Sequence, residues 1–161
     1  MSVIYVGVGE YAVSKTPGDI IKTMALGSCV GVIILDPIKN AVGLLHVALP
    51  DSSINKRRVD ERPGMFADTG IPKLLHQMAG LGCNGDSKMI VKLAGGAAIM
   101  DPNNTFNIGK RNVLAVKKIL WKYKLGARAE DTGGTFSRTV SISVDSGKVL
   151  LSSPGRGDWE L

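Results

Sequence analysis

The sequence predicts a single mixed α/β domain, and three observations carry that expectation. Short apolar runs punctuated by Pro and Gly alternate with two stretches of helical periodicity. The 161 residues suffice for one hydrophobic core that buries most of the apolar surface folding must hide. Hydrophobic residues make up 44% of the chain and charged residues 21%, values of ordinary globular proteins that set it apart from disordered and membrane-embedded classes. The chain, 1–161, is expected to fold alone and to act as a monomer.

Taken in order, residues 3–6 and 11–14 read as short strands and 29–35 and 42–49 as longer ones. Between the longer pair, Asp36-Pro37-Ile38-Lys39-Asn40 puts Asp, Pro and Asn where a turn needs them, so the two strands form an antiparallel hairpin. Residues 51–64 are polar and charged with little apolar content, which predicts an exposed, mobile loop. Ala67, Ile71, Leu74, Leu75, Met78 and Leu81 recur at helical spacing, and Gly82 is placed to cap that helix. A strand over 88–93 closes in Ala94-Gly95-Gly96. A second helix runs over 108–124, with Asn107 as N-cap and Val113, Val116, Leu120 and Tyr123 on one face. Strands follow at 127–131 and 139–144, the latter paired through Asp145-Ser146-Gly147 with 148–151, and the tail after Pro154 is expected to fray.

The N-terminus lacks the basic start, apolar middle and small-residue cleavage site of a secretory signal, and no stretch approaches the length of a membrane span. A cytoplasmic protein without membrane insertion is expected. In that reducing compartment Cys29 and Cys83 remain thiols. A zinc site from Cys29, His46, His76 and Cys83 is disfavoured because no two of them share the short spacing of a zinc knuckle. The net charge of +6 admits nucleic acid, acidic lipid or an acidic protein as partner, but with 5% aromatics and no binding motif nucleic acid is the weakest of these. Neither the Walker spacing nor a GxGxxG accompanies Asp131-Thr132-Gly133-Gly134, so no nucleotide is expected, and no metal or cofactor is called for.

Leu26-Gly27-Ser28-Cys29-Val30 places a thiol at the mouth of a strand behind a Gly-Ser pair that permits a sharp turn, which is how a nucleophile is exposed beside free amides. From this motif alone, a nucleophile and a small buried hydrophobe are equally supported. The partner strand shifts the balance. The hairpin centre near Asn40 is about as far along the chain from Cys29 as from the His46-Val47-Ala48-Leu49-Pro50 stretch, so pairing brings His46 near Cys29. A thiol with its ordinary pKa near 8.5 is only a few per cent ionised at neutral pH, so a cysteine hydrolase needs such an imidazole. Thr23 is a candidate orienting group for the imidazole, although taken alone it reads as a strand-surface threonine.

Leu26-Gly27-Ser28-Cys29, His46 to Pro50, Phe66-Ala67-Asp68-Thr69, Ala94-Gly95-Gly96-Ala97, Asn107-Ile108-Gly109-Lys110-Arg111-Asn112 and Glu130-Asp131-Thr132-Gly133-Gly134 with Arg138 together resemble the bacterial chemoreceptor glutamine deamidase family CheD over nearly the whole chain. The resemblance implies an α/β sandwich flanked by helices, similar to the catalytic domain of cytotoxic necrotizing factor toxins. It also implies Cys29 as nucleophile, His46 as base and Thr23 as support for the histidine. Ala48 and Ala98 depart mildly from the family pattern, which bears on pocket shape. Gly27, Ser28 and Val30 are the candidates for oxyanion or pocket roles, and Gly95-Gly96 is expected to serve close backbone packing near the site. By the same resemblance the substrates are methyl-accepting chemotaxis receptors, glutamate methylesterase activity is plausible, and an alternative role is binding and stimulating the CheC phosphatase. Lys110, Arg111, Lys117, Lys118, Lys122, Lys124 and Arg128 form a basic run that is either a solvated face or a steering surface for a Glu-rich receptor bundle.

Overall fold

The structure, a computed structural model, describes residues 2–84, 88–99, 103 and 105–161. In chain order its strands are β1 (Val3–Tyr5), β2 (Tyr11–Ser14), β3 (Ile20–Leu26), β4 (Val30–Asp36), β5 (Ala41–Val47), β6 (Ile90–Gly95), β7 (Ala127–Thr132), β8 (Arg138–Ser143), β9 (Val149–Ser153) and β10 (Gly157–Glu160). Helices α1 (Lys56–Glu61) and α2 (Ala67–Gly80) lie between β5 and β6, and α3 (Ile108–Lys122) lies between β6 and β7. One sheet runs β1-β3-β8-β9-β10 and the other β2-β5-β4-β6-β7.

Side chains alternate across a strand, and that alternation builds two cores from the second sheet. Val30, Val32 and Ile34 of β4 meet Leu45, Val47, Ile71, Leu74, Val116 and Leu120 beneath the helices. From the opposite face, Ile33, Val42 and Leu44 pack against Ile21, Val140, Ile142 and Leu151 of the first sheet. Because β4 and β5 are covered on both sides, they read as nearly unbroken apolar runs. The result is a mixed α/β sandwich with helices on one outer face, as the sequence predicts.

The β4–β5 hairpin is antiparallel, with Val30 opposite Val47, Gly31 opposite His46 and Asp36 opposite Ala41. Its turn is held by Asp36 Oδ1, which accepts from the amides of Ile38 and Lys39 at 2.9 and 3.0 Å. Gly82 caps α2 as expected: its φ is +93°, and the amides of Gly82 and Cys83 donate to the carbonyls of Ala79 and Met78.

Four expectations need correction. Residues 51–64 are largely exposed as expected, but they form two 3₁₀ turns flanking α1 and not a loop; Asp51 Oδ1 accepts from the Ser53 amide at 2.8 Å, and the Ser52 hydroxyl donates to Asp68 at 2.6 Å, so local side-chain caps hold a segment whose α1 buries nothing. Asn107 occupies the N-cap of α3 in a left-handed conformation, φ +52°, and its side chain makes no capping bond. Tyr123 is 47% exposed, and the buried face of α3 instead includes Asn112. The tail does not fray, because β10 pairs with β9, the Trp159 indole donates to Asp131 Oδ2 at 2.8 Å, and the Leu161 amide donates to the Val149 carbonyl at 3.0 Å.

Candidate functional site

β3 and β4 belong to different sheets, yet only Gly27, Ser28 and Cys29 separate them. This short link stitches the sandwich together at one end. A β-bulge between Thr23 and Leu26 and the left-handed Ala25, φ +50°, bend β3 into it. Cys29 therefore sits where β4 begins, packed at the edge of the inter-sheet core and half-exposed. Gly31 lies opposite His46, so Cys29, two residues earlier, is the diagonal neighbour of His46 on the same inner face.

His46 is 3% exposed and Thr23 is fully buried. Thr23 is thus not the surface threonine that its local sequence suggests; it reaches across the sandwich from the opposite sheet. Its Oγ1 lies 2.7 Å from His46 Nδ1 and donates its one proton to the Val6 carbonyl at 2.7 Å. With that proton committed, the hydroxyl has only lone pairs for the imidazole, so Nδ1 carries the proton and Nε2 carries the lone pair. Nε2 is buried and has no hydrogen-bond partner among the described residues. Burial disfavours the imidazolium and lowers the His46 pKa to about 4, which leaves a neutral base at physiological pH. Burial also raises the Cys29 thiol, an effect opposed by its own backbone amide. At rest the pair is neutral thiol and neutral imidazole.

A cavity of about 590 Å³ opens beside Cys29, and Gly27 and Ser28 line it as well. Five of its lining residues are glycines, so its wall is largely backbone. Val30 does not line it; its side chain is wholly buried beneath the helices and its backbone pairs with both Val47 and Gly95. The close-packing role expected of Gly95-Gly96 is visible directly. A Cβ on Gly95 would overlap the Cys29 carbonyl, and one on Gly96 would overlap Val113. Gly96 and Ala97 donate to the carbonyls of Cys29 and Gly27, each at 2.8 Å.

Two further residues, present in the motifs above but given no role at the site by the sequence, shape this corner. Arg138, 2% exposed, pairs with Asp131 at 2.8 Å, donates to the Gly133 carbonyl at 2.8 Å and lies 4.1 Å from the centre of the Phe136 ring. It thereby fixes the Gly133-Gly134 rim of the cavity. Its signal was present as an arginine opening a strand that is otherwise uncharged. Asn112, wholly buried on α3, donates through Nδ2 to the carbonyls of Ser28 and Ala48 at 2.9 and 3.0 Å. His76 is exposed on α2, and Cys83 is buried in the other core, so neither shares this site.

A model of the family described as CheD chemotactic sensory transduction matches residues 48–153. Among similar proteins, the probable chemoreceptor glutamine deamidase CheD of Syntrophotalea carbinolica is 54% identical over the full length of both chains. That of Solibacter usitatus is 48% identical over 97% of this chain and 92% of its own. The chemoreceptor glutamine deamidase CheD of Thermotoga maritima is 40% identical over 95% of this chain and 93% of its own.

Proposed function

The chain belongs to the CheD family, and from that premise we propose that it is a protein-glutamine deamidase acting on chemoreceptors, with Cys29 as nucleophile and His46 as its base. The observation that carries the assignment of roles is the Thr23–His46 bond. It leaves the one imidazole nitrogen able to accept a proton without a partner among the described residues, on the face shared with the half-exposed thiol.

Cys29 gives its proton to His46 Nε2 as sulfur attacks the δ-carbonyl carbon of a glutamine, and the carbonyl oxygen takes the negative charge. The backbone amides of Ser28 and Cys29 stabilise that oxyanion; they enter no backbone hydrogen bond among the described residues, which supports this role, whereas Val30 is engaged in the sheet. His46 returns the proton to the departing nitrogen, ammonia leaves, and a thioester joins Cys29 to the substrate. His46 then deprotonates a water that attacks the thioester, and the proton passes to the released sulfur, giving glutamate and free enzyme. A glutamate methyl ester offers the same acyl carbon with methanol as leaving group, so methylesterase activity belongs to the same reading. The whole of 1–161 acts as one unit, a reading supported by β4 and β5 each feeding both cores.

Incubation with a receptor cytoplasmic fragment should release ammonia in amounts equal to the new glutamates. A receptor fragment bearing the native glutamines that releases no ammonia with folded protein overturns the proposal.

A further inference from the structure

The registered pairing of β4 and β5 stops at Val30 and Val47, one residue short of Cys29 and one beyond His46. There the two strands part. The amides of Ala48 and Leu49 turn away to the Met65 carbonyl, at 3.0 and 2.8 Å, while the Cys29 carbonyl accepts from Gly96 at 2.8 Å. No ladder bond therefore sets the separation of the nucleophile's loop from the base's strand at this point.

Asn112 spans the gap. Its single NH₂ group has two protons, and the two acceptors are the carbonyl just before Cys29 and the carbonyl two residues after His46. α3 comes near enough because Gly96 and Gly109 lack side chains: a Cβ on Gly109 would meet the Gly96 carbonyl oxygen at 2.5 Å. The arrangement has a cost, since Asn112 Oδ1 is buried with no hydrogen-bond partner among the described residues. A leucine would fill similar volume and spare that cost but would leave both carbonyls without their donors, so the amide serves its two bonds and not the packing.

We infer that Asn112 is a positioning residue for the proposed reaction, an amide clamp that fixes the distance between the Cys29 loop and the His46 strand. The inference rests on the Cys29–His46 reading of the site. Misplacement of reacting groups by about 1 Å can cost on the order of 100-fold in rate. Losing the clamp acts on kcat and on the thiol's reactivity, whereas a purely structural asparagine would alter only the amount of folded protein.

The test compares wild type, Asn112→Leu and His46→Gln. The readouts are the kcat and KM of ammonia release from a receptor fragment, the rate of Cys29 alkylation by iodoacetamide against pH, and the melting temperature. Asn112→Leu should lower kcat by roughly 10- to 100-fold with KM within about threefold, and should shift the alkylation profile toward that of His46→Gln. Asn112→Ser, which has one donor and can reach only one carbonyl, keeps the test open should the leucine variant not fold, and it should show the same changes at smaller size. Wild-type kcat and an unmoved alkylation profile in a folded variant would overturn the clamp. If His46→Gln itself leaves the alkylation profile unmoved, it is the Cys29–His46 reading that fails.

Discussion

Cys29 and Cys83 are both free thiols whose pKa values burial raises, yet they face different neighbours. Cys83 lies in the core under the helices, pushed up to about 11 first by burial and then by Asp36, whose carboxylate accepts its hydrogen bond and opposes the thiolate charge. Cys29 stands on a cavity wall, on the face that carries His46 Nε2, which has no partner among the described residues. A carboxylate beside a thiol stabilises it in its protonated form, whereas a neutral imidazole with a free lone pair can accept the proton as the thiol attacks. The difference teaches that a raised resting pKa does not make a thiol inert. Access and a base within reach decide its chemistry.

Replacing the proposed base, His46, should remove what distinguishes the two thiols. His46→Gln keeps similar volume and polarity but has no proton shuttle, and kcat should fall by on the order of 100-fold or more in steady-state ammonia release. His76→Gln, on the exposed face of α2, should change little. Equal losses from both would erase the contrast. Thr23→Val is nearly isosteric and removes the acceptor that fixes the His46 tautomer, so kcat should drop roughly 10-fold or more with KM unchanged.

The legible part of this corner was local. Asp36 to Asn40 marks a turn, and the apolar runs on either side are of similar length, so the hairpin and the neighbourhood of Cys29 and His46 follow from a short stretch of chain. Thr23 is a candidate from its place before Cys29 and is assigned to the histidine by family resemblance, but its burial depends on how two sheets pack, which no local pattern encodes. Asn112 sits in a helical run and reads as a structural contact; its reach to Ser28 and Ala48 depends on the approach of α3, which Gly109, one turn before it, and Gly96, beyond β6, allow. β10 was missed because Pro154-Gly155-Arg156-Gly157 reads as a break, while the anchor that restores order, the Trp159–Asp131 bond, is long-range.

Acid sharpens the comparison through stability. The folded state resists protonating His46 until about pH 4, whereas the unfolded chain takes the proton near 6.5, so the unfolded state binds more protons between those values. Stability is therefore intact above 6.5 and should fall by ~3 kcal/mol in all as pH drops from 6.5 to about 4. Denaturant titrations at several pH values should show this component disappear in His46→Gln and persist in Cys83→Ser.

The smallest effect is expected far from the thiols, on the basic face of α3. Lys117 is paired with Glu130 at 2.6 Å, so steering falls to neighbours such as Lys118 and Lys122. Reversing those two charges should lower kcat/KM on an intact receptor fragment by roughly threefold to tenfold at low salt, leave kcat nearly unchanged, and have no effect on a short glutamine peptide. An unchanged kcat/KM at low salt would make this face a solvated surface only.

The most direct test of the central claim is mass spectrometry of a receptor cytoplasmic fragment after incubation with wild type, Cys29→Ala or Cys83→Ser. Wild type and Cys83→Ser should each add about one dalton per modified glutamine, the difference between NH₂ and OH, and Cys29→Ala, though folded, should add none. Conversion by Cys29→Ala at the wild-type rate, or its loss in a folded Cys83→Ser, would contradict the assignment of Cys29 as the nucleophile.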